Sequence, residues 1–419
     1  MRYIYTFCYT IAIPFILLRL YWRGRKLPGY RKRVLERFSI ISKPQQENSI
    51  WFHTVSLGEV IAAIPLIKTL QLRYPDTLIS ITTMTPSGSE RVKAVFNDTV
   101  YHVYVPYDLP WLINKFLKIV KPKLLIILET ELWPNLLACC HRAGLPVFLA
   151  NARMSARSVE RYAKIQPLTR QMLNQITQIA VQTEEEAKRY MRLGMPEKRI
   201  SVTGSIKFDI SVPDDHETKL AALRPLLGIK RPVFLCASTH QGEEELILQM
   251  FKIILEKVPN CLLLLVPRHP DRFDEVAELC TKHGFKIARR SKNQVCTEET
   301  TIFLGDSIGE MLLYYDLADL AFVGGSLIPV GGHNLLEPAV LGKLAITGPH
   351  MHNFVAITEL LLKAEAIKQI QEPHELADVV IAFLQDETLC KKMGEQARNV
   401  VVKNRGALAK HVELIDAVL

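Results

Sequence analysis

The chain has 419 residues, 48% of them apolar and 23% charged, with ordinary numbers of glycine (20) and proline (23). This composition excludes a disordered or collagen-like protein and predicts two domains, since one domain usually holds roughly 100–200 residues. The net charge is +9, and residues 1–50 carry +8 of it; a nucleic-acid-binding protein spreads its basic charge over a folded face, so no nucleic-acid partner is expected.

The basic excess comes just after an apolar run from Tyr3 to Trp22, YIYTFCYTIAIPFILLRLYW. About 20 apolar residues cross a bilayer. Pro14 interrupts the run, and Arg19 near its end can snorkel to the interface. It is not succeeded by a small-residue cleavage site. The positive flank from Arg23 to Arg33 keeps the downstream domains in the cytoplasm. Residues 1–22 are therefore expected to form a membrane anchor, spanning or interfacial, with an ordinary buried helix as the alternative. None of the eight cysteines forms a C-x-x-C pair. They read as small core residues in a reducing compartment.

Beyond the anchor, short apolar runs alternate with longer amphipathic stretches. Strands are expected at 50–55, 78–83, 101–105, 123–128, 146–150, 178–182 and 200–203 in the first half. In the second half they are expected at 232–237, 261–266, 284–288, 301–304, 319–323 and 343–346. Near-continuous apolar strands separated by helices mean parallel sheets covered on both faces. The pattern runs twice, and SIKFDISVPDD (205–215) reads as the linker. The expected fold class is α/β: two Rossmann-like domains facing a cleft, residues 23–210 and 211–419, with the last helix free to pack back on the first domain. Ligands of such sheets bind beyond the C-terminal strand ends. A Ser or Thr with a Glu three residues later marks a capping box, which predicts helix starts at Ser56/Glu59, Ser87/Glu90 and Thr183/Glu186.

No G-x-G-x-x-G comes after a strand, and there is no P-loop, so no dinucleotide cofactor is expected. There is no D-x-D to hold a metal on a sugar diphosphate, and His350-x-His352 lacks further ligands nearby, so no metal site is expected either. The strongest local signal is VGGSLIPVGGHNLLEP (323–338), at the end of the run DLAFV. Gly324, Gly325, Gly331 and Gly332 allow close backbone approach, the helix start beyond them favours phosphate, and Glu337 can accept from ribose hydroxyls. Pro267-Arg268-His269-Pro270 and Asp306-Ser307-Ile308-Gly309-Glu310-Met311 end two further strands. Arg268 can pair with a phosphate, and the backbone near Gly309 can read a base edge.

In the first half, HTVSLGEV (53–60) places Glu59 in a first helical turn. It serves either as a capping acid or as a general base. ETELWPN (129–135) puts two acids and Trp133 at a strand exit. NARMSARS (151–158) comes after the next strand, and Arg157, Arg161 and Lys164 share one helix face, either solvated or docking an anionic acceptor. Lys207, in GSIKFD (204–209), lies at the domain junction. The nucleotide loops alone also fit a UDP-sugar transferase or a nucleotide-sugar epimerase. A membrane adaptor that keeps a nucleotide-binding fold is the non-catalytic alternative, and the intact acids in both halves speak against it.

Taken in order, SLGE, ETELWPN, NARMSARS, GSIKFD, PRHP and GGHNLLEP resemble the motifs of the lipid A Kdo transferases (Kdo is 3-deoxy-D-manno-octulosonic acid), and the resemblance spans the chain. It implies a GT-B glycosyltransferase at the inner membrane, with CMP-Kdo as donor, a lipid A precursor as acceptor and no cofactor. It also implies that Glu59 is the general base and that Glu129 and Lys207 stabilise the transition state. Pro267, Arg268, Ile308, Gly309, Glu310, Asn334, Leu335, Leu336 and Glu337 are implied as CMP contacts.

Overall fold

The structure is a computed structural model and describes residues 1–25 and 27–419. It divides into two compact units: Met1–Asp209 with Arg405–Leu419, and Ile210–Asn404. The division falls inside the stretch that reads as a linker, and the C-terminal helix Ala407–Asp416 belongs to the first unit.

The first unit is built on a seven-stranded sheet in the order β3-β2-β1-β4-β5-β6-β7. Its strands are β1 (Ile50–His53), β2 (Ile79–Thr83), β3 (Tyr101–Tyr104), β4 (Leu124–Leu128), β5 (Val147–Ala152), β6 (Gln178–Val181) and β7 (Ile200–Val202). The second unit repeats the plan in the order β10-β11-β9-β8-β12-β13-β14. Here the strands are β8 (Val233–Thr239), β9 (Leu262–Pro267), β10 (Ile287–Arg289), β11 (Ile302–Leu304), β12 (Leu320–Val323), β13 (Leu344–Thr347) and β14 (Ile367–Gln369). Every pairing is parallel. All thirteen expected strands are present; β14 is an addition to them.

Alternation along the central strands explains the continuous apolar runs. In β4, Leu125 and Ile127 enter one core with Phe116, Leu136 and Leu137. Leu124, Ile126 and Leu128 enter the other, with Leu66, Val92 and Ile415. In β9, Leu263 and Leu265 face one layer and Leu262, Leu264 and Val266 face the other. Each fully buried side chain of this size contributes about 1.5–3 kcal/mol, so both faces must be apolar.

Two of the three expected helix starts are observed. Thr183 and Glu186 form a full capping box, and Ser56 caps the helix Leu57–Arg73. The third is corrected: the cap of Pro86–Phe96 is Thr85, which accepts from Gly88 N, and Ser87 lies inside the helix. Pro86 at the first helical position needs no N–H partner and fixes that start.

The apolar N-terminal run is the helix Arg2–Arg23, none of whose residues is fully buried. One face, Tyr9, Ile13, Ile16 and Leu17, packs with Phe38 against Tyr107, Leu109 and Leu112. Asn135 Nδ2 donates to Thr6 Oγ1 at 2.9 Å on the same face. The opposite face exposes Ile4, Phe7, Ile11, Phe15, Leu18 and Trp22. Both sets obey the 3.6-residue period, so one helix carries a docked face and a free apolar face.

Candidate active site

In a doubly wound sheet the ligand crevice opens where neighbouring strands lead in opposite directions. In the first unit that point lies between β1 and β4. After β1 the chain turns through Val55 into the helix that carries Glu59, and after β4 comes Glu129.

Glu59 is 7% exposed. Its Oε2 accepts from Val55 N at 2.8 Å, and its Oε1 accepts from Ser56 Oγ at 2.8 Å. Burial pushes its pKa up to about 7; the Val55 and Ser56 hydrogen bonds oppose this, and Glu131 and Glu129 add to it. The local cap and the titration are therefore compatible: each oxygen keeps a second lone pair while the group sits near neutrality.

Glu129 has a left-handed backbone, φ +57°. Its amide donates to Ala150 O at 3.0 Å, which holds the strained residue in place. Glu129 Oε1 lies 3.4 Å from Lys207 Nζ, so two residues of this predicted set meet. Glu131 accepts from Trp133 Nε1 at 2.8 Å. Burial raises its pKa, against that hydrogen bond. The Trp133 ring stands edge-on to buried His53, with centroids 4.8 Å apart.

Lys207 is placed by a chain of contacts from the C-terminal helix. His411 Nδ1 lies 2.7 Å from Ala407 O and must donate to it. Its Nε2 is then free to accept from Asn151 N at 2.9 Å. Asn151, itself at φ +51°, accepts through Oδ1 from Ile206 N, the residue before Lys207. Burial keeps His411 neutral, with its pKa lowered to about 4. This support is not legible in the sequence, because His411 lies hundreds of residues from the groups it holds.

In the second unit the switch point lies between β8 and β12. The glycine-rich loop leaves β12 there. Gly324 is needed because a Cβ would meet Ser238 O at 2.6 Å, and Gly332 because its φ of +73° is one that residues with a side chain rarely adopt. Gly324 thus admits the protein's own atoms. The amides of Gly325, Ser326 and Leu327 all donate to the buried carboxylate of Glu243, at 2.7, 3.0 and 3.0 Å. His240 N donates to the same carboxylate at 3.0 Å. Sequence reasoning misses Glu243, since its only signal is an acid-rich helix start after a strand, STHQGEEE.

Around this loop His240 and His333 stack, with rings 5.0 Å apart and Nε2 atoms at 2.8 Å. Burial, with Arg268 and neighbouring imidazoles, pushes His333 down to about 3. Arg268 is exposed at the end of β9, anchored by its amide on Thr239 O at 2.9 Å; Pro267 before it is buried. Asn334 Nδ2 donates to Glu337 at 3.3 Å, and Asn334 Oδ1 accepts from Leu336 N at 3.1 Å. Leu335 and Leu336 are buried. Burial raises the pKa of Glu337, and Asn334 and Arg268 offset it in part. On the loop after β11, Ile308 is 79% exposed and Gly309 has φ +85°. Glu310 is clamped by Arg290 at 2.8 Å. Its burial works against ionisation, but Arg290 and Ser307 hold its pKa below the usual range. Arg268, the 305–310 loop and Glu337 thus lie at the C-terminal ends of three strands of one sheet. Among the described residues, no three His, Cys, Asp or Glu side chains form a metal-binding group.

The architecture matches solved structures at low identity. A MurG from Acinetobacter baumannii superposes with a TM-score of 0.55 at 14% identity, over 88% of this chain and 99% of that one. A UDP-GlcNAc 2-epimerase from Neisseria meningitidis gives 0.54 at 14%, over 88% and 99%. With two doubly wound parallel sheets, one in each unit, the chain has the GT-B fold. Residues 32–210 match the family model described as 3-Deoxy-D-manno-octulosonic-acid transferase (kdotransferase). A 3-deoxy-D-manno-octulosonic acid transferase from Haemophilus influenzae is 43% identical over 100% of this chain and 99% of its own length. One from Bordetella pertussis is 31% identical over 99% of each. The chain belongs to the 3-deoxy-D-manno-octulosonic acid transferase family.

Proposed function

We propose that the enzyme moves Kdo from CMP-Kdo to a hydroxyl of a lipid A precursor, lipid IVA, with inversion at the anomeric carbon. Glu59 removes the proton of the acceptor hydroxyl. That oxygen forms the new bond to the anomeric carbon as the bond to the CMP phosphate breaks, and the electron pair leaves on the phosphate oxygen. The observation that carries this reading is the place of Glu59 in a member of this family: a buried carboxylate in the first helical turn beyond β1, held by Val55 N and Ser56 Oγ, with burial raising its pKa toward the range where a general base works. Glu129 stabilises the positive charge that develops on the sugar, Lys207 is the cation paired with Glu129, and Arg268 meets the phosphate. Pro267, the Ile308–Glu310 turn and the Asn334–Glu337 segment hold the rest of the nucleotide. CMP leaves with one phosphate, and the transfer needs neither metal nor cofactor.

The N-terminal helix attaches the enzyme to the cytoplasmic leaflet of the inner membrane. Its docked face covers Tyr107 and meets Asn135. A spanning position would carry these groups into hydrocarbon, where unmet polar atoms are costly. The helix therefore lies in the interface, with Phe7, Ile11 and Phe15 toward lipid and the basic flank on anionic headgroups.

The test is transfer from freshly made CMP-Kdo to lipid IVA with and without EDTA, read by mass spectrometry. A Kdo mass increment that survives EDTA supports the proposal. An increment only with a UDP-sugar, or a strict metal requirement, overturns the donor or the metal-free account.

A further inference from the structure

The first unit contains a cavity of about 350 Å³ that the transfer step itself does not use. Tyr5 and Tyr9 of the N-terminal helix form one side. Leu132, Trp133, Tyr162 and Leu168 form much of the rest. The lining is mostly apolar, and its one carboxylate, Asp108, is already engaged: it accepts from Asn135 N at 3.1 Å and from Leu136 N at 2.7 Å. Asp108 thus caps the helix Pro134–Arg142 from outside and is not presented to a ligand.

Three neighbours define what would fill the space. On one side, the helix that walls the cavity turns its other face, Phe7, Ile11 and Phe15, outward and bare. On a second side, Trp133 joins the cavity to the acid cluster through its bond to Glu131 at 2.8 Å, and Glu131 is close enough to raise the pKa of Glu59. On the third side lies the helix Ala156–Ala163, which contributes Tyr162 to the lining. Arg157, Arg161 and Lys164 at this helix are exposed on the face turned away from Tyr162 and buried Val159, so the apolar lining alone defines the ligand. An apolar slot that runs from the free apolar face of the N-terminal helix to the acid cluster complements a molecule with a hydrocarbon tail and a reactive hydroxyl.

We propose that this cavity is a subsite for one acyl chain of the glycolipid acceptor. The inference rests on the proposed lipid acceptor and adds to it the place where the lipid tail is bound. The acyl chain passes from the leaflet beside the N-terminal helix into the cavity, and the sugar head is left toward Trp133, which bonds to Glu131 of the acid cluster. Burying a tail fixes the position of the hydroxyl, so the cavity contributes to acceptor affinity and leaves donor affinity unchanged.

The experiment compares lipid IVA with its fully deacylated sugar phosphate as acceptors, for the wild-type enzyme, Leu168→Trp and Ile165→Trp. Ile165 lies at the rim and is 37% exposed, so its substitution leaves the core intact even if Leu168→Trp folds poorly. The wild type should use lipid IVA with a much lower KM than the deacylated acceptor. Each filled variant should raise the KM for lipid IVA about tenfold or more, since excluding two methylenes already corresponds to that factor. The donor KM and turnover of the deacylated acceptor should not change. Equal KM values for the two acceptors in the wild type, or variants with an unchanged lipid IVA KM, overturn the acyl subsite while leaving the transferase reading standing. No transfer by the wild type to either acceptor overturns the acceptor reading, and the subsite with it.

Discussion

Glu243 Oε2 accepts from Gly325 N at 2.7 Å, and the same carboxylate takes three further amides, so a single side chain shapes the loop beyond β12. The sequence suggests that these glycines leave space for a ligand, yet the amides nearest β12 are already occupied from within. Stranding buried donors costs about 1–3 kcal/mol each. Glu243→Ala is therefore expected to lose at least about 3 kcal/mol in urea unfolding and to lose CMP binding by calorimetry. A stable alanine variant with undiminished CMP affinity would mean the loop holds its shape without this contact.

The raised pKa of Glu59 has two opposed consequences. Activity should rise with pH through about 7, as the base loses its proton. Stability should move the other way. The folded-state pKa lies above the unfolded value of about 4.5, so the folded protein holds the proton more tightly, and the contribution of this group declines as pH rises from about 4.5 through 7. Glu59→Gln removes that penalty. Its amide oxygen can take Val55 N while its NH₂ donates to Ser56 Oγ. The variant is expected to be nearly inactive and, above pH 7, more stable than wild type by up to about 3 kcal/mol. Chemical denaturation at pH 5 and pH 8 reads the difference, and a variant less stable at both values contradicts it.

His411 gives the reverse sign at the other end of the chain. Its folded pKa of about 4 lies below the unfolded value of about 6.5, so its contribution is complete above pH 6.5 and is lost as pH falls through 4. His411→Ala strands Asn151 N and leaves a cavity, a loss of about 2–4 kcal/mol. Because Asn151 also holds Ile206, kcat should fall as well, with the donor KM little changed. Thermal unfolding and steady-state kinetics test both; a stability loss with normal kcat would detach the C-terminal helix from the placement of Lys207.

Glu129 and Lys207 form a partly exposed pair, so their ion pair contributes little to stability, within about 1 kcal/mol. Glu129→Gln and Lys207→Met should therefore unfold near the wild-type midpoint yet lose about a hundredfold or more in kcat. A double-mutant cycle on kcat should show strong non-additivity. Independent, additive effects would separate their roles.

Much of the architecture is readable because buried parallel strands are written as uninterrupted apolar runs. β14 escapes because Ile367–Gln369 is a three-residue edge strand with only Ile367 buried. The Ser87 cap is misplaced because the box pattern outweighs Pro86, whose place at a first helical turn points to Thr85. At the site, the sequence marks Glu59, Glu129 and Lys207 as strand-end or junction residues. It cannot show that Glu129 and Glu131 lie close enough to raise the pKa of Glu59, since that coupling joins segments some 70 positions apart. The partners Glu243, Asn151 and His411 are opaque for the same reason. Their roles come from tertiary hydrogen bonds, and their local patterns are ordinary.

The most direct test of Glu59 as the base is single-turnover transfer of Kdo to lipid IVA by wild type and Glu59→Gln, with both substrates saturating and the pH stepped from about 5.5 to about 8.5, a range that brackets the titration of the base. The account predicts a wild-type rate that climbs through about pH 7 and a variant slower by about a thousandfold or more, with a flat profile. A Glu59→Gln enzyme that transfers Kdo at near wild-type rate, with the same rise through pH 7, would contradict it.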